Sequence, residues 1–217
     1  MYSPIDFLEF DALQESTSEV FARCLAIATI AHMYELVPAA NWAIDKAIQS
    51  FTTSPRMSRI PQLVETASRW GRDSKRYLAA RDGVCGALRA WACQGFRTTV
   101  QGQKHPFSKL SIAAVLAALD DPERRDTYVL AHAYYYLLVT TDDRFKHSVE
   151  LRPIDHQRLL AGFYRLTRSG RLRLDDLGAQ PDLEVILQLD RAISDCRDEL
   201  WSYFNPEGWP QLAPTNV

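Results

Sequence analysis

The chain has 217 residues, 47% of them hydrophobic and 24% charged, with a formal net charge of −2. That balance excludes a disordered polymer and gives no global cationic field of the kind that draws nucleic acid or an anionic membrane. No apolar run reaches the roughly 20 residues that span a bilayer. The start, MYSPIDFLEFD, is acidic rather than a basic-then-apolar leader, so a reducing intracellular setting, cytoplasmic or nuclear, is expected.

In chain order, Ser16 and Glu19 have capping-box spacing, which places a helix start near Ser16. Val20, Cys24, Ile27, Ala28, Ala31 and Tyr34 follow at three- and four-residue steps and share one helical face. Pro38 cannot continue that helix but suits the first turn of the next. Ala40, Ala43, Ile44, Ala47, Ile48 and Phe51, with Trp42 beside them, describe the second helix. The many alanines let the two approach closely as an antiparallel hairpin over 16–51. Ile60, Leu63, Val64, Ala67 and Trp70 predict a helix over 57–70, broken at Gly71-Arg72-Asp73-Ser74. A longer helix over 74–93 carries Tyr77, Val84, Leu88 and Trp91 on one face. The polar run from Gln94 to Pro106 reads as a loop. It divides an N-terminal helical lobe, 1–95, from a C-terminal lobe, 108–204, across a loop at 96–107.

The second lobe opens with a short helix from Ser108 to Leu119, closed by Asp120-Asp121-Pro122. The next helix, about Glu123 to Thr140, is apolar nearly all round and is expected to be central and buried. Tyr134, Tyr135 and Tyr136 cannot share one face, so at least one hydroxyl needs a buried partner or the surface. A polar connector over 141–154 leads to Asp155, the expected cap of a helix that stops at Gly170. A last helix over about 182–204 precedes an extended tail, 205–217. The expected fold class is all-α, with about eight helices in antiparallel hairpins stacked in one or two lobes.

No pattern carries a catalytic, cofactor-binding or metal signature. Phosphate-cradling GxxxxGK[ST] and GxGxxG motifs are absent. Asp142, Asp143, His147, Asp155 and His156 are ligand-type side chains, but their spacing matches no zinc framework, and no metal is expected. Asp120-Asp121, Asp142-Asp143 and Asp175-Asp176 flank helix ends, and adjacent residues do not face each other. Gly83-Val84-Cys85-Gly86 is followed by Ala87 where a nucleophile elbow needs glycine. Cys24, Cys85, Cys93 and Cys196 read as buried thiols. Two basic series stand out: Arg165, Arg168, Arg171 and Arg173, and Arg69, Arg72, Lys75, Arg76 and Arg81. Neither is interleaved with aromatics as in nucleic-acid modules, so no nucleic acid is expected.

The order of Leu25, Ala28, Ala31, Tyr34, Leu36, Ala40, Trp42 and Ile48 resembles the C-terminal helical hairpin of BTB/POZ domains. Phe7-Leu8-Glu9-Phe10 is similar to the segment leading into that hairpin. Asp126–Leu138 and Arg158–Arg168 resemble the helical region after the BTB domain in mushroom-type fungal proteins. The resemblance implies a protein–protein interaction module, an adaptor or regulator with a protein partner. The strand-rich front half of a BTB domain is not in the sequence. Homodimerisation and cullin docking, which use that half, are therefore not implied. The alternative expectation is an enzyme or small-molecule binder with a pocket between helices near Tyr134–Tyr136 and Tyr164. No cofactor is expected for either.

Overall fold

The computed structural model describes residues 17–100, 109–121, 125–140, 151–172, 191, 196 and 199–207. Among these residues the fold is all-α, with eight α-helices, one short 3₁₀ turn and no strand. The chain packs as two units, one drawn from residues 1–55 and 62–80, the other from 56–61 and 81–217.

The first unit is built on α1, Thr17–Met33, and α2, Val37–Thr53, which form the expected antiparallel hairpin. Phe21, Cys24, Leu25, Ala28 and Ala31 are the buried stripe of α1. They meet Ala40, Ala43, Ile44, Ala47 and Phe51 of α2. Alanine dominates both stripes, so the backbones can come close, and the Phe21 and Phe51 rings, 6.2 Å apart, fill the open end. The α1 helix closes with Glu35 in the left-handed region at φ 58°. The Leu36 N–H donates to the Ala31 carbonyl at 2.8 Å and the Glu35 N–H to that of His32 at 3.2 Å, the Schellman pattern. This stop corrects one expectation: Tyr34 lies beyond the helix and is 71% exposed rather than on the buried face. Pro38 stands in the first turn of α2, as its missing N–H requires.

The predicted helix over 57–70 divides into a 3₁₀ turn, Met57–Arg59, and α3, Ile60–Ser68. Within the first unit, Trp70 Nε1 donates to Asn41 Oδ1 at 2.8 Å and its ring lies 4.9 Å from that of His32. Ser74 accepts the Tyr77 N–H at the start of α4, Lys75–Val100. This helix outruns the predicted boundary: residues expected to form a loop from 96 onward are helical as far as Val100. Gly95 alone costs only about 1 kcal/mol in a helix, and no proline intervenes before Pro106. Residues 101–107 lie outside the described residues.

In the second unit, α6, Thr127–Thr140, is the hub. Every residue from Val129 to Val139 is buried, as its all-round apolar character demands. It starts later than the sequence suggests, because Asp126 accepts the N–H groups of Tyr128 and Val129 at 2.9 and 3.0 Å. Around it pack α5, Lys109–Leu119, α7, Pro153–Arg168, and α8, Leu200–Phe204. Leu116 and Leu119 are the inward residues of α5, Leu159 and Leu166 those of α7, and Leu200 and Phe204 those of α8. Helix α7 begins two residues before Asp155: Arg152 is the N-cap and Asp155 occupies the third helical position. It stops at Gly170, φ 71°, as expected, with the Arg171 N–H on the Leu166 carbonyl. Of the predicted helix over 182–204, residues 191, 196 and 199–204 fall within the described residues, with the first residues of the predicted tail, 205–207.

Candidate functional sites: a buried arginine–carboxylate network and an exposed apolar tip

The inward face of α7 holds Asp155, Arg158, Leu159, Gly162 and Leu166. Two opposite charges thus sit on an otherwise apolar stripe, 1% and 4% exposed. Buried charges need partners, and the end of α5, helix α6 and the N-cap of α7 supply them. Asp120, directly after α5, is 9% exposed, and Tyr134 on α6 is fully buried.

Arg152 grips Asp155 as a fork, with Nε 2.8 Å from Oδ2 and an Nη 2.8 Å from Oδ1. The Arg152 backbone N–H also donates to Oδ2 at 3.1 Å. The same Nη reaches Asp120 Oδ2 at 3.0 Å. Arg158 donates to that oxygen at 2.9 Å and to the Tyr134 hydroxyl at 3.0 Å. Tyr134 in turn donates to Asp155 Oδ1 at 2.5 Å. Arg125 completes the set with an ion pair to Asp120 Oδ1 at 3.0 Å, a contact without hydrogen-bond alignment. The Arg158 guanidinium lies 5.3 Å from the Trp201 ring centre and 5.7 Å from that of Tyr134. Its Nε–H, which has no acceptor, is therefore flanked by ring faces that attract cations.

The environment polarises the charge states in one direction. Burial works to raise the Asp155 pKa. The hydrogen bonds from Arg152 and Tyr134 and the Arg152 charge outweigh it, and they hold the carboxyl below its usual range. Burial, then the hydrogen bond to Asp155, push the Tyr134 phenol above its usual range. Burial tends to lower Arg158, but its bonds to Asp120 and Tyr134 more than compensate. At neutral pH the network is an ionised Asp155, fixed arginine cations and a protonated phenol. Such a set binds α5, α6 and α7 together.

Arg158 was not among the residues the sequence singled out. Its signal is visible in hindsight: an aspartate and an arginine three apart, both in register with Leu159, Gly162 and Leu166. Asp155 keeps a capping role, at the third helical position rather than at the N-cap, and the structure adds the ion pairs of Asp155 and Asp120 to it. Among the described residues, no group of three or more His, Cys, Asp or Glu side chains is placed to hold a metal. Asp142, Asp143, His147, Asp175, Asp176 and Arg173 lie outside the described residues. Cys24 and Cys196 are buried, and Cys85 is half-buried inside α4, not at a strand-to-helix turn.

Several of the basic residues have local structural tasks. Arg165 donates to the Ser202 and Asn205 carbonyls, each at 2.6 Å, and so closes the C-terminal end of α8. Arg76 pairs with Asp45 at 2.8 Å, and Arg81 lies 3.9 Å over the Tyr128 ring. The tyrosines proposed for a pocket divide: Tyr134–Tyr136 are packed in the core, whereas Tyr164 is 50% exposed beside Arg168.

The exposed surface carries the second candidate. Ile30, Met33, Tyr34, Leu36 and Val37, at the turn joining α1 and α2, are each more than half exposed. Ile30, Met33 and Tyr34 are three and four residues apart, so they extend one face of α1 into the turn. Hydrogen bonds on both sides of Glu35 hold this tip in one backbone conformation. Among the described residues, no helix is long and apolar enough to cross a membrane.

Comparison with family models, with curated proteins and with solved structures returned no match for this chain.

Proposed function

We propose that the chain is a protein–protein interaction module that presents the α1–α2 tip to a protein partner, as an adaptor or regulator would. The observation that carries this reading is the cluster of five large apolar side chains within eight residues, all more than half exposed on a fixed turn. Apolar surface gathered in this way is the ordinary mark of a binding face, and a rigid tip spares the partner the cost of ordering it. The resemblance to the terminal hairpin of BTB proteins points the same way, toward a fungal relative working by contact rather than by turnover. Four scattered cysteines in no paired framework are in keeping with a reducing intracellular compartment.

A photo-crosslinking phenylalanine analogue at Tyr34 tests this reading in cells. Discrete protein adducts are expected at Tyr34 and not when the analogue replaces Gln157, an exposed residue of α7. No adducts, or the same adducts at both positions, would overturn it.

A further inference from the structure

We infer that the partner seated on the α1–α2 tip is a second copy of the same chain, packed tip to tip about a two-fold axis; this rests on the interaction reading above. Between Thr29 and Ile44 there is no lysine or arginine, and Glu35 is the only acid. A strongly acidic or basic partner would find no complementary pattern there. The surface matches another nearly uncharged apolar surface, and the chain itself supplies one. A two-fold contact uses the same patch on both copies, so self-complementarity is all it requires. With a single acid per copy, Glu35 can stay at the rim while the apolar side chains meet.

Area agrees. At their observed exposures, the five side chains present on the order of 600 Å², at the top of the roughly 300–600 Å² that a monomer ordinarily leaves in one apolar patch. Two copies meeting there would bury about 1,200 Å² in all, the lower edge of specific interfaces and above most lattice contacts. The pairing is therefore weak and reversible, a micromolar association rather than an obligate dimer.

Sedimentation velocity on the full 217-residue chain from about 1 to 300 μM brackets such an affinity. A reversible monomer–dimer equilibrium is expected. The double variant Met33→Ser/Val37→Ser, and separately Ile30→Ser, should raise the dissociation constant at least about tenfold, with far-UV circular dichroism unchanged. Leu160→Ser/Tyr164→Ser removes exposed apolar side chains from α7 instead and should leave the equilibrium as it was. A chain that is monomeric throughout, a dimer that survives the tip variants, or one weakened equally by the α7 control would each overturn the inference. A monomeric chain whose Tyr34 still crosslinks a different protein would sink the second-copy inference alone. Neither self-association nor crosslinking would sink both.

Discussion

The Tyr134 hydroxyl donates to Asp155 Oδ1 and accepts from Arg158, so one phenol joins the anion and the cation of α7 from the facing helix. Arg152 and Asp120 extend that joint to the N-terminus of α7 and the end of α5. Three segments of the second unit thus meet at polar atoms inside an apolar core. Hydrophobic burial is non-directional, whereas these bonds are satisfied in only one arrangement. The network therefore supports a single packing of α5, α6 and α7 as well as contributing to its stability.

Tyr134→Phe removes the donor to Asp155 and the acceptor of Arg158 and leaves the ring in place. The loss should be about 1–3 kcal/mol, the range for leaving buried charged partners one bond short. Urea unfolding followed by circular dichroism measures it. Asp155→Asn should cost more, because it removes the charge that Arg152 grips with two bonds and leaves Arg152 only its contact to Asp120. A Tyr134→Phe variant as stable as the parent would show that the phenol is merely packed.

The network also sets the pH dependence. Asp155 is depressed in the folded state, so its contribution is present above the unfolded value of about 4 and is lost as pH falls below it. Tyr134 is raised, so its contribution is complete below the unfolded value of about 10 and is lost as pH rises beyond it. Urea midpoints measured across pH should fall at both extremes. Asp155→Asn should flatten the acid limb and Tyr134→Phe the alkaline one. Limbs unchanged in the variants would assign the titrations to other groups.

The sequence makes the hairpin and the central helix legible for a plain reason: both rest on local periodicity. The alanine-rich stripes of 20–51 and the largely apolar run of 127–140 each permit one reading. Helix ends were less visible, because they turn on single bonds. Asp126 moves the start of α6, Arg152 moves that of α7, and Glu35 ends α1 although it is not a glycine. The buried network was hidden for a different reason. Asp120, Tyr134 and Arg158 are distant in sequence, and nothing local tells an arginine on the core face from one on the solvent face.

Gly162 is a place where the core admits no side chain. A Cβ there would run into the Phe204 ring, which itself stacks on Tyr134 at 5.7 Å. Gly162→Ala should favour the helix intrinsically but overpack the α7–α8 contact, a net loss of about 1–3 kcal/mol. Combining it with Phe204→Leu should recover part of the loss, so a thermodynamic cycle over the two changes should show coupling. Additive effects would mean that α8 moves aside freely.

Glu35 gives the opposite sign. A residue with a Cβ in the left-handed region costs about 1–2 kcal/mol relative to ordinary helical backbone, and glycine has no such penalty. Glu35→Gly should therefore stabilise the first unit, by about 0.5–1 kcal/mol after the extra entropy glycine gives the unfolded chain. The Leu36 and Glu35 amide bonds that end α1 do not involve the side chain, so the turn is retained. Thermal melting should show the gain, and Glu35→Val should lower the midpoint, since a β-branched side chain tolerates this backbone worst. A Glu35→Gly protein that melts lower would mean that the glutamate side chain stabilises the tip by more than its backbone strain costs.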